Sequence, residues 1–333
     1  MEMPLQPNLT GVLALTALAD LLLYRLAAHV FLPAQSTSCL ARVLWDTGAF
    51  AANLGGVLGL VLIVTALVRA LRGETLFPRS MRITVSAVAL FFVVLAGLGV
   101  SSADGNGRFL AHLQISRAFL ALFLVVGLLR APGPGRAKLG VSLLAFPGVL
   151  QAAALFLDNR PWAPGLAGQL VRAADLLALV GAALSVALLL PRPCRGWRLA
   201  LAALAGSLAL GASSWAVVRH FGAVQLIALY GFRLDLPALT SPAGWLYAGL
   251  LVAAVTGLSA AAAGCLVGPG SSRLLAYGLI LVGVAGHQPV ASNMALFALC
   301  GLFAVALGSL FSGGESARQA VSLPTPAAAP DPR

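Results

Sequence analysis

Charge is what this chain has least of. Asp, Glu, Lys and Arg make up 9% of its 333 residues, against roughly 25% in an ordinary soluble domain, while hydrophobic residues reach 60%. A soluble globular domain and a disordered chain are both excluded, since neither can present so much apolar surface to water. Lysine is nearly missing: Lys138 stands alone beside 20 arginines. This usage, rich in Ala, Leu and Arg, points to a GC-rich bacterial source. The formal net charge of +11 does not imply nucleic acid as a partner, because the arginines are spread over separate short segments instead of forming one stripe. It reads instead as an orientation signal with contacts to lipid headgroups.

Cysteine is also sparse. Cys39, Cys194, Cys265 and Cys300 form no C-x-x-C and no Cys/His spacing, so no zinc site or redox dithiol is signalled. There is no phosphate-binding loop, no H-E-x-x-H and no acid pair at a fixed spacing. Gly211-Ala212-Ser213-Ser214 lacks the second glycine of a nucleophile elbow, and Ser213 reads as a helix-packing residue. Nor is there a basic stretch before the first apolar run, where Glu2 stands instead. That is wrong for a secretory signal peptide, so the first block is expected to be a retained helix.

What the chain does have is ten apolar blocks, most about twenty residues long, the length that crosses a hydrocarbon core of about 30 Å as a helix. The expected spans are Gly11 to Leu32, Gly48 to Val68, Ile83 to Val100, Leu113 to Leu129 and Leu139 to Leu157, then Leu170 to Leu190, Leu199 to Val218, Trp245 to Val267, Leu274 to Gly286 and Val290 to Leu310. The fold class expected is all-α, a polytopic membrane bundle. Basic residues alternate unevenly between its loops. One set holds Arg69, Arg72, Arg79, Arg82, Arg130, Arg136, Lys138, Arg192, Arg195, Arg198, Arg273, Arg318 and Arg333; the other holds Arg42, Arg108, Arg117, Arg160, Arg172, Arg219 and Arg233. Thirteen against seven places the first set, and both termini, in the cytoplasm. The localisation expected is therefore a bacterial inner membrane. After Phe311 the sequence turns to Gly, Ser, Pro and Ala, and 312–333 is expected to be a disordered cytoplasmic tail. The mixed stretch Phe221 to Phe232 reads either as an interfacial helix or as an extension of the seventh span.

Weak self-similarity suggests a 5+5 division, with halves 1–157 and 158–311. Ala19-Asp20-Leu21-Leu22 matches Ala174-Asp175-Leu176-Leu177, and Ser116-Arg117 matches Ser272-Arg273. An odd number of spans per repeat would invert one half against the other, the plan of many secondary transporters, which hold substrate near the midplane. In layout alone the chain resembles drug/metabolite-type transporters, which have ten spans in two inverted halves; no motif of that family matches residue by residue.

Charges inside a span cost at least about 2.5 to 3.5 kcal/mol each, which singles out Asp20 and Arg25 in the first span. Five residues apart, they point about 140° away from one another, so each needs a partner on another helix. Tyr24 lies one turn from Asp20, and His29 one turn from Arg25. The reading as a substrate, ion or proton site stands beside that of a structural clamp between Arg25 and an acid such as Asp175. Arg172 and Asp175 can pair within the sixth helix. Asn53, Gln151, Gln225 and Asn293 could line a central cavity or serve as interhelical hydrogen-bonding glue. Pro147-Gly148 should kink the fifth span just before Gln151. The ninth span is short, about 20 Å, before Gly286-His287-Gln288-Pro289.

His29, His112, His220 and His287 all fall toward the outer face under this topology. They are either unrelated interfacial residues or ligands of a haem or transition metal. The function expected is a small-molecule transporter or permease with a polar site at Asp20, Tyr24, Arg25, Asn53, Gln151 and Asp175 and no resident cofactor. A haem- or metal-binding protein and a non-catalytic membrane subunit or assembly factor are the alternatives. The partners expected are the lipid bilayer, an unknown small solute, and either a second copy or the subunits of a membrane complex.

Overall fold

Apolar runs become helices because only a helix satisfies every main-chain hydrogen bond within its own segment. In the computed structural model the residues described are 7–20, 23, 39–72, 79–101, 107–131, 133–157, 165–189, 223–226, 232–235, 242, 270–285 and 291–321. Among them are eight helices: α1 (Pro7–Ala19), α2 (Cys39–Leu71), α3 (Arg79–Ser101), α4 (Gly107–Arg130), α5 (Gly135–Leu157), α6 (Leu166–Leu189), α7 (Gly270–Ala285) and α8 (Ala291–Val321). Five stretches within them, Cys39–Arg69, Ser80–Leu98, His112–Arg130, Gly135–Leu157 and Ser292–Leu310, are long and apolar enough to cross a membrane, while Pro7–Ala19 and Ser272–Ala285 are shorter apolar helices. The seventh and eighth expected spans lie outside the described residues.

The outer faces fit a lipid solvent. Ile83 is 80% exposed, and Leu15 and Phe50 are each 66% exposed, part of a run of bare Leu, Val and Phe side chains that water would penalise.

Helix α8 is the centre. It packs on α2, α3, α4, α5 and α7, while α1 rests on α2 and α7, and α5 pairs closely with α6. Helices from both sides of the 157/158 boundary therefore share one core, in which Leu296, Phe297, Leu299, Leu302 and Val305 of α8 are wholly buried. Small residues permit this. A Cβ on Gly278 would stand 2.7 Å from the Val305 nitrogen, one on Gly301 2.8 Å from the Val282 nitrogen, and one on Gly308 2.7 Å from the Leu275 nitrogen. Helices α7 and α8 thus cross main chain to main chain, antiparallel, which is how membrane helices gain dispersion energy where no hydrophobic drive separates them from lipid.

Helix α5 continues through Pro147. Proline lacks the N–H that the Leu143 carbonyl would accept from. That carbonyl faces Gly181 of α6, where a Cβ would sit only 2.7 Å from its oxygen, leaving room for a weak Cα–H contact in place of the missing bond. The turn between α4 and α5 is closed by Lys138, whose Nζ donates to the Leu129 carbonyl at 3.0 Å, one of the free acceptors at a helix C-terminus. Gly165 enters α6 with φ of 75°, a left-handed conformation that glycine adopts without strain.

Two expectations are corrected. Within the stretch from Phe221 to Phe232, the described residues are not helical: β1 (Ala223–Leu226) pairs antiparallel with β2 (Phe232–Asp235), Val224 opposite Leu234 and Gln225 opposite Arg233. The Phe-Arg-Leu-Asp alternation of β2 is a period-two pattern that a helical reading overlooks. The last helix, expected to end near Leu310, runs on to Val321.

Candidate functional site

Polar groups in the core converge where α1, α2 and α8 meet. Gly55 of α2 marks the junction: a Cβ there would lie 3.2 Å from Thr16 Oγ1 of α1 and 2.7 Å from Phe297 of α8. Further toward the other end of α1, Gly11 abuts Tyr277 of α7, beside Gly278, which meets Val305. As α1 advances from Gly11 to Thr16, the facing level on α8 falls back from about Val305 to Phe297, so these two helices run in opposite directions.

Two side chains follow from this register. Asp20 lies one turn beyond Thr16 on the same face of α1, and Asn293 lies one turn before Phe297 on the same face of α8, each about 6 Å from the junction and on the same side of it. Both are buried, Asp20 completely and Asn293 at 3% exposure. Asn293 Nδ2 donates to the Ala52 carbonyl of α2 at 2.8 Å. A carbonyl can only accept, so the amide must present its nitrogen there. Its Oδ1 is then left buried with no hydrogen-bond partner, as is the hydroxyl of the adjacent Ser292. Two turns further along, Cys300 Sγ donates to the Gly59 carbonyl at 3.7 Å. The two contacts show α2 and α8 running parallel in a fixed register.

Asp20 sits in a π-helical turn that also includes Leu23. Such a turn widens the helix and withdraws a carbonyl from the regular ladder, a feature that concentrates at functional sites.

A second buried charge was misassigned on sequence. Arg117 is counted above with the outer loops, yet it is the largest fully buried side chain among the described residues, 1% exposed in the middle of α4. Ser116 beside it is buried, its hydroxyl donating to the Leu113 carbonyl at 2.9 Å. The neighbouring Gln114 holds its Oε1 buried without a partner. Just past the Arg130 end of α4, Gly133 abuts Leu310 of α8. Stepping back from Arg130 to Arg117 is the same rise, about 20 Å, as stepping back from Leu310 to Phe297. Arg117 therefore lies near the level of the Thr16, Gly55 and Phe297 junction. The signal was present: a guanidinium inside the boundaries Leu113 to Leu129 belongs to a span and not to a loop.

The other candidates separate. Asn53 is exposed, pointing away from the junction that its neighbour Ala52 helps to form. Gln151 is half-buried and lines, with Ala154, Leu155, Ala167, Gly168, Val171 and Arg172, a cleft of about 490 Å³ between α5 and α6. Arg172 is exposed at its mouth. Helix α6 includes Asp175, whose side chain lies outside the described set, and Tyr24, Arg25, His29, His220, Gln225's side chain and His287 lie outside it too. His112 is exposed at the start of its apolar stretch. No group of three or more His, Cys, Asp or Glu gathers among the described residues. No protein-family model matches the chain, and neither does any curated protein or solved structure.

Proposed function

We propose that this protein is a small-molecule transporter or permease of the secondary type, set in a bacterial inner membrane with ten spans and both termini in the cytoplasm. One observation carries the reading. Two charges of opposite sign, Asp20 and Arg117, are fully buried in an apolar bundle, within about one helical turn of the same level. Ionisable groups at such depth are costly and mark substrate, ion or proton pathways by default. A carboxylate and a guanidinium near one depth suit a small polar solute that carries groups of both kinds. With Arg117 assigned to a span, the loop count becomes thirteen basic residues against six, which strengthens the case for cytoplasmic termini. The Ala-Asp-Leu-Leu match between Asp20 and Asp175 supports an inverted repeat.

The test is uptake by proteoliposomes. Purified protein is screened for thermal stabilisation by amino acids, sugars, nucleosides and organic amines, and the stabilising solute is then radiolabelled. Wild type should accumulate it, and Asp20→Asn and Arg117→Gln should each lose at least tenfold of the initial rate. Uptake unchanged in both variants would remove the assignment.

A further inference from the structure

Helices α5 and α6 run antiparallel and touch closely toward one end. A Cβ on Gly181 of α6 would lie 2.7 Å from the Leu143 oxygen of α5, and one on Gly140 of α5 would lie 2.9 Å from Leu189. At the other end, where α5 finishes and α6 begins, the pair parts around the cleft of about 490 Å³, a volume typical of small-molecule sites. Small residues make this room. Ala154, Ala167 and Gly168 line it, and a Cβ on Gly168 would meet nothing within 4 Å. Leu155 and Val171, also in the lining, are 44% and 41% exposed, so the cleft opens sideways on the surface that faces lipid. Left empty there, it would forfeit the dispersion contacts that a neighbouring hydrocarbon chain supplies.

A positive charge stands at the mouth. Arg172 is exposed, and no acid is among the described residues that line the cleft. Arg172 lies six residues beyond Leu166, the first residue of α6, or about 9 Å along the axis. Helical side chains lean toward the N-terminus of their helix, so the guanidinium is carried toward the membrane surface and the depth of lipid phosphates. Ala167 and Gly168 belong to the first turn of α6, whose N–H groups find no acceptor within the helix, and add partial positive charge. Gln151, six residues before the end of α5, lines the opposite wall at the matching depth.

We propose that this cleft binds an anionic phospholipid, its phosphate against Arg172 and one acyl chain along Ala154, Leu155 and Val171. Arginine pairs with phosphate through two parallel N–H bonds, and basic pockets between membrane helices take acidic headgroups. With both termini in the cytoplasm, the lipid belongs to the outer leaflet. The site rests on the membrane setting of the chain and not on transport. Bound lipid ties α5 to α6 and stabilises the folded bundle by mass action.

The experiment is thermal unfolding of the full chain in detergent micelles, with phosphatidylglycerol, phosphatidylcholine of the same acyl chains, or inorganic phosphate added. Phosphatidylglycerol should raise Tm more than phosphatidylcholine, by a margin that grows with mole fraction, and inorganic phosphate should leave Tm unchanged. Arg172→Gln, which removes the charge, and Gly168→Leu, which fills the cleft, should each abolish the difference between the two lipids without lowering Tm in their absence. Arg42→Gln, which removes an exposed cation of α2, should keep it. No difference in wild type overturns the site, as does a full difference in Arg172→Gln or Gly168→Leu. Arg172→Gln protein that is destabilised without lipid yet keeps the difference would make Arg172 a partner of Asp175 instead. A shift with inorganic phosphate as large as that with phosphatidylglycerol would assign the site to a free anion and overturn the lipid. The lipid difference without solute uptake leaves the site and removes the transport reading. Uptake without the lipid difference does the reverse.

Discussion

The two ends of the apolar stretch of α8, Ser292–Leu310, pack by different physics. From Gly301 to Gly308 the helix lies backbone against backbone on α7, with no polar side chain needed and no space for a Cβ. From Ser292 to Phe297 it meets α2 through the Asn293 amide on the Ala52 carbonyl and the Phe297 ring against Gly55, with the Ser292 hydroxyl buried beside them. The first end is close to optimal for stability, since small residues maximise dispersion contacts. The second carries unsatisfied oxygens that an apolar replacement would avoid. One helix thus separates the part that holds the bundle together from the part that can bind something.

Substitutions can break this contrast, beginning with the largest effect. Phe297→Ala empties the junction filled against Gly55 and should destabilise the protein by about 3 to 5 kcal/mol, read as a lowered unfolding midpoint in detergent. Next comes Gly301→Leu at the other end, where overpacking should cost about 1 to 3 kcal/mol. It should lower the same midpoint, and the uptake rate of the protein that remains folded should stay close to wild type. Asn293→Ala sharpens the comparison: a membrane interhelical hydrogen bond contributes only about 0.6 kcal/mol on average, so stability should barely move while uptake falls at least tenfold. Cys300→Ala should be the mildest. Its sulfur makes one weak contact with Gly59, and both midpoint and uptake should match wild type within about 0.5 kcal/mol. If Asn293→Ala behaved like Gly301→Leu, losing stability but not uptake, the polar end would be packing alone.

Much of this was legible in the residues. The scarcity of charge, the apolar blocks and the isolated Asp20 required helices in a lipid solvent and a costly carboxylate inside one of them. The π-helical turn at Asp20 and the burial of Asn293 were not legible, because both depend on which helix lies opposite. Arg117 shows the difference. Five residues into an apolar block, it reads as a loop charge when basic residues are tallied by side, and only its burial in α4 makes it an interior guanidinium. Asn53 shows it from the other side: polar and inside a span, it reads either as cavity lining or as interhelical glue, and only the register of α2 shows that it is exposed. The strand pair of Ala223–Leu226 and Phe232–Asp235 was hidden because alternation over four residues is too short to stand out in a chain this apolar.

What the sequence determined by itself was an apolar surrounding and the placement of the main helices, since length and hydropathy along a segment are local properties that need no partner. Which polar atoms meet, and which are left bare, was decided by the tertiary structure alone. The contact between Asn293 and Ala52, far apart in the chain, exists because Gly55 lets α1, α2 and α8 come together, and no local pattern encodes that approach.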